Sequence, residues 1–244
     1  MGVIKAAIGD ALLTSMWVFS VPFLGVFTSI ISTFLGVQTV PPPLLALFIT
    51  TNLVTILVLI ISFIGNFLGG ASFNPSTTLS FYAAGLRPDS SLLSMAVRFP
   101  AQAAGGVVGV KAIMQVMPAQ YKHMLKGPSL KVDLHTGAIA EGVLTFVLSF
   151  GLLVIMIKGP KNLILKVWLL AMTTVGLIVS GSKYTGPSMN PANAFGWAYL
   201  NNWHNTLEIF YVYWISPFAG AILAAKIFQF LSASSPSPVK QKKA

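Results

Sequence analysis

The chain has 244 residues, of which 55% are hydrophobic and only 8% charged, with a mean hydropathy of +0.80. A water-soluble domain of this size needs more polar surface, so the composition predicts an all-α polytopic membrane protein. The net charge of +10 arises from 15 Lys and Arg scattered between apolar runs, without a basic face, so loops facing the cytosol explain it better than nucleic acid, and membrane lipid is the partner expected of a polytopic chain.

Lys5 precedes a long apolar run with no cleavage-site pattern, so the first span, residues 8–31, reads as retained in the mature chain and not as a signal peptide. Pro41-Pro42-Pro43 stiffens the loop before a second span at 44–68. Gly69-Gly70-Ala71-Ser72-Phe73 then interrupts the apolar sequence, and Asn74-Pro75-Ser76 starts a short half-helix at 75–84. Asn suits the N-cap, and Pro suits the first helical position because its φ is fixed and its missing N–H has no partner there in any case. Gly85-Leu86-Arg87-Pro88-Asp89 closes the half-helix, and a third span follows at 92–117 with Arg98 at its entrance.

The polar connector 118–135 carries Lys122, Lys126, Lys131 and Asp133, and the fourth span is predicted at 136–157. Lys158, Pro160, Lys161 and Lys166 crowd the turn into a fifth span at 163–181. A second break, Tyr184-Thr185-Gly186-Pro187-Ser188-Met189, leads into Asn190-Pro191-Ala192-Asn193 and a second half-helix at 191–199. The sixth span is predicted at 209–231, with Trp203, Tyr211, Tyr213 and Trp214 placed as an interfacial aromatic belt. A Ser/Pro-rich tail ends in Lys240-Gln241-Lys242-Lys243-Ala244.

The two Asn-Pro breaks lie 116 residues apart, from Asn74 to Asn190. Ala104 to Lys111 matches Ala219 to Lys226 at nearly the same offset, and Asp10-x-x-x-Thr14 matches Glu141-x-x-x-Thr145 more loosely. The chain therefore divides into a first repeat at 1–117, a connecting loop at 118–135, a second repeat at 136–232 and a cytosolic tail at 233–244. Three spans per half force the second copy to enter the membrane in the opposite direction, giving six transmembrane helices plus two re-entrant half-helices in an inverted repeat.

With the N-terminus in the cytosol, Lys5, Arg87, Arg98, Lys158, Lys161, Lys166, Lys226 and the tail lysines fall on or near that side. They outnumber Lys111, Lys122, Lys126, Lys131 and Lys183 opposite, which favours both termini inside. Gly69, Gly105, Gly106 and Gly220 suit close helix crossings.

An irregular loop at membrane depth survives only buried in protein or lining a wet cavity, and two such loops imply a shared one. In an inverted pair the half-helix N-termini, each equivalent to roughly +0.5 charge, meet near the midplane. The side-chain amides of Asn74 and Asn190 then serve as donors to a water in the lumen, while the paired dipole ends repel cations and protons. Asp10 and Glu141 are intramembrane carboxylates, for which a functional or scaffolding role is the default.

These residues resemble the aquaporin family, whose signature is a pair of Asn-Pro-Ala loops at these positions, and the resemblance covers the whole chain from span one to span six. Two departures, Ser76 in the first loop and Asn193 where the family usually has Arg, together with the basic charge and short N-terminus, look most like the first group of the plant small basic intrinsic proteins. The resemblance implies a homotetramer and carries the family's constriction onto Val54, Ile178, Pro187 and Asn193. It also implies that Asp10 and Glu141 accept bonds from the backbone of the re-entrant loops. Asp10 is shorter than the usual Glu by about one bond length, ~1.5 Å. The constriction has neither an aromatic ring nor a fixed cation.

The reading is a passive channel for water or another small neutral solute. A nonconducting membrane scaffold and a secondary transporter remain open, although no acidic residue lies beside either Asn-Pro loop to bind a coupling ion. No Cys occurs, His123, His135 and His204 lack metal spacing, and no nucleophile has a partnered base, so no enzyme, metal site or cofactor is expected. Lys240 and Lys242 stand fifth and third from the end, in the form of a dilysine signal that retrieves membrane proteins to the endoplasmic reticulum, the address the family resemblance also implies.

Overall fold

A computed structural model describes residues 2–37, 44–87 and 91–233, so the triproline segment, Asp89, and Lys240 and Lys242 lie outside the described residues. Helix α1 (Val3–Phe34) is 32 residues long, about 48 Å at 1.5 Å per residue, and overshoots the roughly 30 Å hydrocarbon core. Helix α2 (Leu44–Phe67) ends where Gly69 and Gly70 take positive φ values of 78° and 83° and the amides of Gly70 and Ala71 both donate to the Gly65 carbonyl. Gly69 therefore serves this left-handed turn and not the helix crossing expected of it.

The first half-helix is α3 (Pro75–Ala83), followed by α4 (Leu92–Val116), which Ser91 caps by accepting from the Ser94 amide. Asp133 starts α5 (Leu134–Lys158) by accepting from the amides of His135 and Thr136, and those bonds, Thr136 first, hold its carboxyl below the usual carboxylate range. Asn162 caps α6 (Leu163–Gly181), and the second half-helix is α7 (Pro191–Leu200). The sixth span is a composite of α8 (Leu207–Phe210), a π-helical turn at Tyr211–Ile215, and α9 (Ser216–Ala233).

Among the described residues, five spans are both long and apolar enough to cross a membrane. The exception is α4, which at 25 residues is long enough but carries Arg98, Gln102 and Lys111 among small residues. The connector is more ordered than a solvated loop. Ala119–Met124 forms a 3₁₀ helix, and Ser129 and Lys131 donate backbone N–H bonds to the Thr185 and Tyr184 carbonyls at 2.9 and 2.8 Å. The connector thereby lies over the approach to the second half-helix.

The packing follows the repeat. Helix α1 runs along α4 as α5 runs along α9, and each half-helix leaves its own half to pack on the other, α3 against α9 and α7 against α4. In lipid, where apolar burial drives little association, such contacts depend on backbones approaching closely. A methyl group on Gly105 would run into the Ala11 carbonyl, one on Gly220 into the Gly142 carbonyl, and one on Gly106 into the Ala192 carbonyl. The last of these seats α7, and with it the second Asn-Pro loop, directly on α4.

Candidate functional site

Asn74 and Asn190 occupy the N-caps of α3 and α7 with closely similar extended backbones, φ −139° and −141°. The Asn74 Oδ1 accepts from the Ser76 amide at 2.9 Å, and the Asn190 Oδ1 accepts from the Ala192 and Asn193 amides at 3.1 and 3.3 Å. Pro75 and Pro191 fill the position that has no N–H to satisfy. The other end of each side chain crosses to the opposite loop: Asn74 Nδ2 donates to the Met189 carbonyl at 3.1 Å, and Asn190 Nδ2 donates to the Phe73 carbonyl at 3.0 Å. Two bonds related by the repeat thus join the half-helices tip to tip. Each amide nitrogen carries two hydrogens, so one remains beyond the cross-loop bond.

Behind the tips sit the two carboxylates, both fully buried. Glu141 on α5 accepts from the Ser188 amide (2.9 Å) and the Thr185 hydroxyl (2.9 Å) with Oε1, and from the Met189 amide (3.0 Å) with Oε2. Met189 adopts φ +51°, a left-handed conformation unusual for a non-glycine residue. Its N–H thereby binds Glu141 while its carbonyl binds Asn74, so one strained residue links the acid of the second half to the amide of the first.

Among the described residues, Asp10 on α1 accepts from one loop amide, that of Ser72 at 2.8 Å. Its remaining capacity is taken by α4: Arg98 Nε at 2.7 Å and Nη2 at 2.8 Å form a two-pronged ion pair, and Gln102 Nε2 donates at 2.7 Å. Arg98, read from sequence as a cytosolic-side charge at a span entrance, is 5% exposed and paired inside the bundle. It leaves the tally of charges that orient the chain. A signal for it existed: Arg98 and Gln102 are four residues apart on one face of α4, and an intramembrane cation needs a carboxylate.

Tyr213 also departs from expectation. It is fully buried instead of belonging to an interfacial belt, and its hydroxyl donates to the Thr185 carbonyl at 2.9 Å. The π turn that carries it adds a residue to the helix, a device found often at functional sites. Ser76 lies in the first turn of α3 at 1% exposure, and its Oγ has no partner among the described residues.

The four constriction residues are not all brought into one visible cluster. Pro187 and Asn193 share the second loop, where a methyl on Gly181 would strike the Pro187 ring and the Asn193 Nδ2 donates to the Ser188 Oγ at 3.1 Å. Val54 is buried with Ala171 and Val175 where α2 meets α6, and Ile178, one turn beyond Val175, is 44% exposed.

A sequence profile described as Major intrinsic protein matches residues 1–228. The chain belongs to that family. Among similar members of the major intrinsic protein family, Aquaporin SIP1-2 of Zea mays is 54% identical over 241 residues, covering 99% of this chain and 98% of its own. Aquaporin SIP1-1 of Oryza sativa subsp. japonica is 53% identical over 243 residues, covering 99% and 97%, and Aquaporin SIP1-1 of Arabidopsis thaliana 48% over 246 residues, covering both chains fully. The aquaglyceroporin from Plasmodium falciparum has the same fold, with a TM-score of 0.65 at 18% identity over 93% of this chain and 96% of that one. The SIP1 relatives agree with the plant group to which Ser76 and Asn193 pointed.

Proposed function

We propose that this major intrinsic protein conducts water, and small neutral solutes that fit, down their gradients through a passage centred on Asn74 and Asn190. The observation that carries this reading is the reciprocal pair of bonds, Asn74 to Met189 and Asn190 to Phe73, which holds two half-helix N-termini together inside the bundle. Each amide keeps a second hydrogen for a passing solute, and the two positive dipole ends disfavour cations there. Val54, Ile178, Pro187 and Asn193 form the narrower filter in this account, its only polar side chain an amide already tied to Ser188.

The same reading takes the halves as residues 1–117 and 136–232, the working unit as a homotetramer, and the location as the endoplasmic reticulum membrane with both termini cytosolic. Lys5, Arg87, Lys158, Lys161, Lys166 and Lys226 still outnumber the lysines of the opposite side once Arg98 is set aside.

Passive conduction is tested by imposing a Na⁺ or H⁺ gradient at constant osmolarity across proteoliposomes. The expected result is no change in water or solute flux; flux that follows the ion gradient would identify coupled transport instead. The address is tested separately. Replacing Lys240 and Lys242 by Ser is expected to release an N-terminally tagged protein from the reticulum to later compartments, and unchanged residence would place the retention signal elsewhere.

A further inference from the structure

A groove of about 580 Å³ runs along the outside of the bundle, away from the Asn pair, between α4, α7 and the composite sixth span. Ala104, Val107 and Val108 form one wall, Phe195 and Tyr199 of α7 form the floor, and Trp214 of the π turn closes the other side. The lining is apolar throughout its length, as a surface facing lipid tails should be. One end is different. Lys111, a single turn beyond Val107 and Val108 on the same face of α4, holds its ammonium 5.3 Å from the centroid of the Tyr199 ring. Lys111 is exposed and forms no ion pair among the described residues. His204 packs on the same Tyr199 ring at 4.7 Å, and its Nδ1 has no partner among the described residues.

The spacing along α4 sets the depth of each part. From Leu92 to Lys111 the helix rises about 28 Å at 1.5 Å per residue, close to the thickness of the hydrocarbon core. The ammonium therefore stands at headgroup level in one leaflet, and the groove descends from it about 16 Å toward Pro100.

We propose that this groove is a phospholipid site, one acyl chain lying along α4 and α7 and the phosphate resting on Lys111. Charge complementarity selects this occupant. A second copy of the chain has little to offer the ammonium: among the described carboxylates Asp10 and Glu141 are fully buried, Asp133 is committed to capping α5, and Glu208 is half-buried and accepts from the Leu130 backbone N–H. A neutral lipid would fill the groove and leave Lys111 without a counter-charge. The floor of the site is the flank of α7, so a bound lipid braces the half-helix whose first turn carries Asn190 and Asn193.

The experiment is native mass spectrometry of the purified full chain with phosphatidylglycerol, phosphatidylcholine and diacylglycerol of identical acyl chains. Both phospholipids are expected to bind more tightly than diacylglycerol. Lys111→Gln should lower phospholipid affinity about fivefold, the ratio that corresponds to one lysine near a bilayer surface, and leave diacylglycerol unaffected. Lys122→Gln, a change to another lysine predicted on the same side, should alter neither. Equal affinity in wild type and Lys111→Gln, or equal binding of diacylglycerol and phospholipid, would overturn the proposal, as would an assembly of copies that occupies this groove and displaces the phospholipid. As a second readout on the unmodified chain, a phospholipid with a photoreactive acyl chain should label peptides containing residues 100–108 and 195–214. Labelling spread evenly over the other spans would also overturn it.

Discussion

Arg98→Leu is expected to destabilise the folded protein by about 3–5 kcal/mol, the usual cost of leaving one member of a buried ion pair without its partner. Asp10 is fully buried on α1 and receives both prongs of the Arg98 guanidinium, so loss of that side chain strands the carboxylate with only Ser72 and Gln102 as donors. The double change Asp10→Asn with Arg98→Leu should recover much of the loss. An amide at position 10 still accepts from Ser72, and a flip of the Gln102 side-chain amide would turn its Oε1, which has no partner among the described residues, toward the new N–H₂. Thermal unfolding in detergent measures both variants. A single variant as stable as wild type, or a double variant no better than the single, would show that the pair does not hold α1, α4 and the first loop together.

Asn190→Leu is expected to lower water permeability at least tenfold, equivalent to about 1.4 kcal/mol or more on the barrier. The substitution removes three things: the cap on the Ala192 and Asn193 amides, the bond to the Phe73 carbonyl, and the remaining N–H offered to solute. Asn190→Asp separates them. Aspartate keeps the capping oxygen, and its charge is favoured at a helix N-terminus, so α7 should fold. It offers Phe73 no donor and places a negative charge at the midplane, so permeability should fall nearly as far as in the Leu variant. Asn74→Leu, which breaks the mirror bond to Met189, should behave like Asn190→Leu. Wild-type permeability in Asn190→Asp would mean that capping alone is what the position supplies.

The parts of this fold that could be read along the chain are those whose chemistry is local. Asn followed by Pro after a break in apolar sequence specifies a cap and a first helical residue within three positions, and both half-helices begin where that pattern places them. Span limits agree within a few residues because apolar runs of membrane length leave little choice, although α1 extends to Val3 and Phe34 and α5 begins at Leu134. What could not be read is held by partners far away in sequence. Arg98 meets Asp10 across 88 residues, and its position six residues into α4 made it look like an entrance charge. Met189 gives no compositional sign of its left-handed backbone, since Met is not a residue that favours it. The π turn is written in no residue type at all, and Tyr213, flanked in sequence by Tyr211 and Trp214, has the composition of a belt aromatic although its buried hydroxyl bonds the Thr185 carbonyl.

Water permeation through the pure protein tests the account at its centre. Proteoliposomes given a hyperosmotic step, with shrinkage followed by stopped-flow light scattering, should shrink severalfold faster than empty vesicles of the same lipid and size. With folding and insertion verified, equal rates in the two preparations would contradict a water-conducting passage between Asn74 and Asn190 and leave the protein a membrane scaffold built on a channel fold.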